Sequence, residues 1–288
     1  MTPQKRLLGA ASLCVLGVLG SNASQAAILN LTDETGSLSD NTPTSFLEVY
    51  DTQADDYFDV RGGGINDAYF ISGDLNSGSG SFRQLYKVSG GLQESGYNRD
   101  GIMDSSVSNG FNPLIRKSDL VTTLNGQFYI FALDVNEPGS SQLLSLDDFR
   151  IYTRSGSDPN PLPDNEADLD QLGILRYNLD TGEDSTILID AGIVGSGGGA
   201  SDLLAFVPVL SLEAAADDDY IYLYSAFGGY DPDGTDAWVN DSGFEEWSVP
   251  EDASERPNVE PLEEPIPEPS TSLLLTVAAA ALAMRRKR

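Results

Sequence analysis

The residues best spaced for chemistry are Asp231-Pro232-Asp233-Gly234-Thr235-Asp236. Closely set carboxylates beside a glycine can fold round a hard cation such as Ca²⁺, which takes about six to eight oxygen ligands. Asp231, Asp233 and Asp236 are therefore the candidate metal ligands, and Ca²⁺ the one candidate cofactor. The spacing departs from an EF-hand loop, because the glycine falls at the fourth position and Asp236 at the sixth. The same residues also read as a plain Pro-Asp-Gly turn. Acidic clusters at Asp164 to Asp170 and at Asp217-Asp218-Asp219 read as solvated loops.

Other chemistries are narrowed by what is absent. The chain contains no histidine, and its one cysteine is Cys14. That excludes Ser-His-Asp catalysis, imidazole base chemistry and His-liganded zinc. A glycosidase needs two carboxylates facing each other across a cleft, but Glu245-Glu246 and Asp147-Asp148 are neighbours on strands and point to opposite faces. No catalytic residue is assigned, and the expectation is a non-enzyme. Carbohydrate binding fits the inventory better: 12 tyrosines and two tryptophans can stack on sugar rings, although Tyr is also an ordinary strand residue.

The elements that would position these residues are strands. Short aromatic and β-branched runs alternate with polar residues between Gly, Asn, Asp and Ser, and no amphipathic helix of ten residues is found. Strands are expected at 28–31, 45–50, 68–72, 81–88, 127–135, 149–153, 174–178, 187–189, 203–208, 220–225 and 244–249. Phe128 to Leu133 and Ile221 to Tyr224 are apolar or aromatic almost throughout, so they are expected at the centre, buried on both faces. Asp180-Thr181-Gly182 suggests a hairpin turn. The fold class is all-β, an antiparallel sandwich of jelly-roll type. Phe244 and Trp247 are expected as anchors closing its end. Residues 155–170, with three prolines, read as an irregular surface excursion, and Gly195 to Gly199 as a flexible connection.

Both ends have a different character. Lys5 and Arg6, the apolar run Leu7 to Leu19 and the small residues before Ala27 have the layout of a secretory signal peptide cut after Ala26, with the Sec translocon as its partner. Residues 1–26 are thus a signal peptide, 27–250 the ectodomain, 251–266 a Pro/Glu-rich linker and 267–288 a separate C-terminal signal. All 45 acidic residues and only ten of the 16 basic ones lie between Ala27 and Pro269, a net charge of −35. Such a surface repels nucleic acid and anionic lipid and attracts Ca²⁺ or cationic polymers.

The C-terminal signal reads Pro267-Glu268-Pro269, an apolar run from Leu273 to Met284, then Arg285-Arg286-Lys287-Arg288. Thr271 to Met284 spans 14 residues, short of the ~20 that a helix needs to cross a ~30 Å hydrocarbon core. The basic end favours the cytoplasmic side. This order of segments resembles the PEP-CTERM sorting signal of Gram-negative bacteria. The resemblance implies that an exosortase reads the segment at the inner membrane and cuts near the Pro-Glu-Pro. It further implies a protein released or anchored outside, touching the membrane only through the sorting helix, in the company of exported polysaccharide. Tyr222 to Gly229, followed by Gly243 to Trp247, is similar to the ectodomain end of uncharacterised PEP-CTERM proteins. The functional expectation is a structural or interaction component at the cell surface or in the extracellular matrix. A Ca²⁺-assisted carbohydrate-binding module is the alternative, and a carboxylate glycoside hydrolase comes third.

Overall fold

The computed structural model describes residues 27–32, 47–51, 56–58, 61–65, 68–73, 82–106, 113–123, 126–137, 142–182, 184–193, 201–241, 243–251 and 258–261. The signal peptide with Ala26, Gly195 to Gly199, and the sorting residues Pro267 to Arg288 lie outside them.

Two sheets carry the fold. The first runs, in spatial order, β1 (Ala27–Asn30), β12 (Ser185–Asp190), β10 (Leu143–Arg154), β14 (Tyr220–Phe227) and β7 (Glu94–Tyr97), with β11 (Ile174–Asn178) on β10 and β8 (Ile115–Arg116) on β14. The second runs β4 (Arg61–Ile65), β5 (Ala68–Ser72), β13 (Leu203–Pro208), β9 (Phe128–Val135), β15 (Glu245–Pro250) and β6 (Phe82–Val88). All pairs are antiparallel except β1 with β12, which are parallel. A small third sheet joins β2 (Leu47–Asp51), β3 (Asp56–Phe58) and β16 (Asn258–Pro261).

Alternation along the strands decides what each face buries. As expected, β9 and β14 are central, with nearly every side chain buried. One face of each sheet meets the other in a common core, where Phe149 of β10 touches rings from the opposite sheet: Trp247 at 5.0 Å, Phe70 at 5.7 Å and Phe131 at 6.1 Å between centroids. Tilted and edge-on contacts suit the ring quadrupoles. Trp247, expected as an anchor closing the end, is therefore a residue of the common core, while Phe244 sits at the rim with the Lys87 ammonium 3.0 Å from its centroid. A polar junction lies between the sheets. Ser225 Oγ of β14 accepts from Trp247 Nε1 at 3.1 Å and shares a 2.6 Å hydrogen bond with Tyr86 Oη of β6.

Three expectations are corrected. The Asp180-Thr181-Gly182 turn forms, with Gly182 at φ +92, yet it reverses nothing: β11 and β12 lie end to end along the same edge of β10. Twelve-residue β10 is long enough to offer both a partner, so the chain continues along it. Residues 155–173 are not a loose excursion. They cross the outer face of the first sheet as a strap, in which the 3₁₀ turn η2 (Glu166–Leu172) sets Leu169 and Leu172 against Tyr97, Tyr152, Tyr222 and Tyr224. The tyrosine hydroxyls need partners once covered: Tyr97 Oη donates to Pro163 O at 2.8 Å, and Tyr222 Oη to Asp158 Oδ1 at 2.6 Å. Within the stretch read as a linker, Asn258–Pro261 pairs with β2, because backbone pairing needs no apolar side chain.

Replacing Ser225 by Ala leaves the Tyr86 hydroxyl and the Trp247 indole N–H without their partner inside the core. Each orphaned donor costs ~1–3 kcal/mol, so Ser225→Ala is expected to lower the urea midpoint with an unchanged m-value. An unaltered midpoint would show that this hydrogen-bonded junction does not matter.

Candidate functional site

The chain passes from the first sheet to the second through residues 228–244, which join β14 to β15 at one end of the sandwich. This connection carries the candidate ligands. Its root is fixed by close approach: Gly228 has φ +76, and a Cβ there would stand 2.2 Å from Leu92 O, so glycine is required. Ser145 of β10 then holds both arms. Its Oγ accepts from Tyr230 N at 3.3 Å, and its N–H donates to Trp238 O at 3.1 Å. Asp147 Oδ2 accepts from Ser145 Oγ at 2.8 Å and from Gly229 N at 2.5 Å. Burial pushes the Asp147 carboxyl above its usual range, with these two hydrogen bonds working against it.

Between those arms, residues 231–236 are exposed. Asp231 Oδ1 accepts from Thr235 N at 2.9 Å and Asp236 N at 3.2 Å, while Asp233 Oδ1 accepts from Thr235 N at 3.2 Å and Thr235 Oγ1 at 2.6 Å. The early glycine, Gly234 at φ +70, closes the turn before three carboxylates can converge. Asp231 and Asp233 cap the turn's own donors instead. Among the described residues no group of three or more acidic, His or Cys side chains is disposed to hold a metal ion. Asp217-Asp218-Asp219 is likewise a surface turn, tied down by Lys117 N to Asp219 O at 2.9 Å.

The far end of the connection rests on Glu245, which the sequence offered only as a neighbour of Glu246, and on Glu94 and Glu137, which nothing in the sequence singled out. Asn240 Nδ2 donates to Glu245 Oε2 at 2.9 Å, and its backbone N–H to Leu92 O at 3.1 Å. Asp241 N donates to Glu137 Oε2 at 3.0 Å. Glu94 and Glu245 are buried, and Oε1 of each has no hydrogen-bond partner among the described residues. Burial pushes the Glu94 carboxyl up to about 7, although the Gly90 N–H and the nearby Asn240 side chain work against it, and burial pushes Glu137 up to about 7 as well. Glu245 is buried and Glu246 half-buried, so that pair of adjacent acids separates as expected. Asp147 and Asp148 do not simply alternate: the pairing with β14 shifts between Leu146 and Asp148, which leaves Asp147 as the extra residue bonded to Ser145 Oγ while Asp148 pairs with Arg150. Burial also lifts Asp148 to about 7, against the pull of Arg150.

The tyrosines offered by composition as sugar platforms are largely core residues: Tyr86, Tyr97, Tyr129, Tyr152, Tyr177, Tyr222 and Tyr224 are all buried. Tyr230 and Trp238, by contrast, are half-buried and flank the acidic turn, their rings 6.3 Å apart and inclined at 67°.

Comparison with known proteins touches only the C-terminus. Residues 265–288 match the PEP-CTERM protein-sorting motif. No curated protein and no solved structure matches the chain. No helix among the described residues is long and apolar enough to cross a membrane.

Glu94 and Glu137 have an ordinary carboxyl value of 4.5 and are held near 7, so the folded state keeps protons that the unfolded chain releases. Their contribution is complete below 4.5 and is lost as pH rises through about 7. The unfolding midpoint is expected to fall over that interval. Glu94→Gln, neutral at every pH, should flatten the fall. A slope identical in wild type and variant would remove Glu94 from the account.

Proposed function

We propose that a chain delivered by this sorting signal is a non-enzymatic component of the cell surface or extracellular matrix, whose acidic β-sandwich acts as a structural or interaction module associated with exported polysaccharide. The observation that carries this reading is the PEP-CTERM motif at residues 265–288, which makes the protein an exosortase-sorted export substrate with a transient membrane attachment. Pro267-Glu268-Pro269 is the processing region in this account, and Arg285 to Arg288 hold the tail on the cytoplasmic side until cleavage. A signal peptide cut after Ala26 would carry the chain through the Sec translocon. It would also leave Ala27, the first residue of β1, as the new terminus.

The ectodomain supports a binding or structural role in two ways. Its exported part lacks the thiol and imidazole on which most hydrolytic and redox mechanisms rely. Its net charge of −35 keeps it solvated and biases its partners toward cations and neutral polymers.

Intact mass of the protein recovered from the cell envelope and medium tests this reading. The expected species begins at Ala27 and ends near Pro269, with or without an added group, and a strain lacking exosortase should accumulate the longer form. A mass that still includes Leu273 to Arg288 in the wild-type strain would make the tail a plain anchor and overturn the sorting account.

A further inference from the structure

We propose that Tyr230 and Trp238, with the carboxylates of the turn between them, form a contact site for an amino-sugar polymer, one whose rings carry free ammonium groups. The proposal rests on the reading of the domain as a polysaccharide-associated module and names the ligand class of that module.

The aromatic pair differs from the rest of the aromatic inventory. Among the described side chains, the other half-buried tyrosines are spoken for: Tyr69 packs edge-on to Phe128 at 5.5 Å, and Tyr220 lies under the Arg116 guanidinium at 4.6 Å. Tyr230 and Trp238 contact each other at the end of an exposed connection. They are also held in place before any ligand arrives, because Ser145 bonds the backbone of both. Fixing the two arms from one buried serine lowers the ordering cost of binding.

Charge then chooses the ligand. The two rings, inclined at 67°, form an aromatic corner beside the acidic turn. Residues 228–244 contain Asp231, Asp233, Asp236 and Asp241 and no Lys or Arg. Asp236 takes φ +54, a left-handed conformation uncommon for a residue other than glycine, within the exposed turn. Carboxylates beside aromatic faces favour an ammonium group through ion pairing and cation–π attraction. They disfavour uronate or sulfated chains.

Fluorescence isolates the site, since the chain has two tryptophans and Trp247 is 0% exposed. Acrylamide, being uncharged, should quench Trp238 selectively in the exported protein. A glucosamine tetramer is expected to protect Trp238 from quenching, and the fully N-acetylated tetramer and an alginate oligomer to protect it much less. Tyr230→Ala should weaken binding about fivefold, the size of one exposed cation–π contact. Tyr230→Phe should preserve it, and the double change Asp233→Asn with Asp236→Asn should weaken it, while unfolding midpoints confirm that each variant is folded. Equal protection by the N-acetylated tetramer, or by tetralysine, would overturn the amino-sugar assignment. No protection by glucosamine, with the protein still retained on its own matrix polysaccharide, would sink this site and leave the broader reading standing. Loss of both would remove the broader reading too.

Discussion

The packing of Phe149 between the two sheets is the contact on which the remaining structure depends. An exported domain without a thiol cannot be stapled by a disulfide, so burial between β10 and its facing strands must supply the stability. Phe149 meets Trp247, Phe70 and Phe131 from three strands of the opposite sheet, and Tyr177 at 5.8 Å from its own side. Apolar contact alone would tolerate sliding of one sheet over the other. Ser225 restricts that freedom, because a buried hydroxyl bonded to both Tyr86 and Trp247 is satisfied in only one register.

Charge imposes the second constraint. With so few cations in the exported part, their placement is informative: Arg99, Arg116, Lys117, Arg150, Arg154 and Arg176 all lie on the first sheet or its flanks. Five of the six fasten backbone or strap, and Arg176 Nε donates to Thr153 Oγ1 of β10 at 2.7 Å. Arg99 Nη2 reaches both oxygens of Asp158 at 2.7 Å, and Arg150 bridges Asp148 and Glu166. Burial works against the charged form of Asp158, but Arg99 and the Tyr222 hydroxyl hold its carboxyl below the ordinary range. Arg154 donates to Ser157 O and Gln171 O, closing both ends of the same strap. These cations of the first sheet therefore serve as internal fasteners, and the acids outside their reach set the outward field.

Strands with dense apolar or aromatic runs were legible from sequence, because side-chain burial there follows the local pattern; β9, β13 and β14 are examples. Less legible were strands whose pairing is decided by neighbours. Glu94–Tyr97 and Ile115–Arg116 are too short or too polar to announce themselves, and Arg61–Ile65 holds three glycines. The first half of β10 was hidden by Asp147 and Asp148, which sit at an irregularity in its pairing with β14. For the site, the acidic turn was visible as composition, but its carboxylates turn inward on Thr235 and Asp236, a consequence of where Gly234 falls. Glu94, Glu137, Asn240 and Ser145 left no signal, since their roles arise from four separate segments meeting at one end of the sandwich.

The direction in which that end faces follows from β15. The connection carrying Tyr230 and Trp238 enters β15 at Glu245, and the chain leaves at Pro250 on its way to the sorting signal. Six extended residues advance the chain by roughly 20 Å at ~3.3 Å each, so entry and exit lie at opposite ends of a strand that runs through the second sheet between β9 and β6. The acidic aromatic corner accordingly sits at the Glu245 end of β15, opposite its Pro250 end. The same strand couples the two ends, because Glu245 anchors Asn240 at its start, and Trp247 and Val249 fill the core along its length. The corner is thus rigidly based on the sandwich, held from β10 on one side and from β15 on the other.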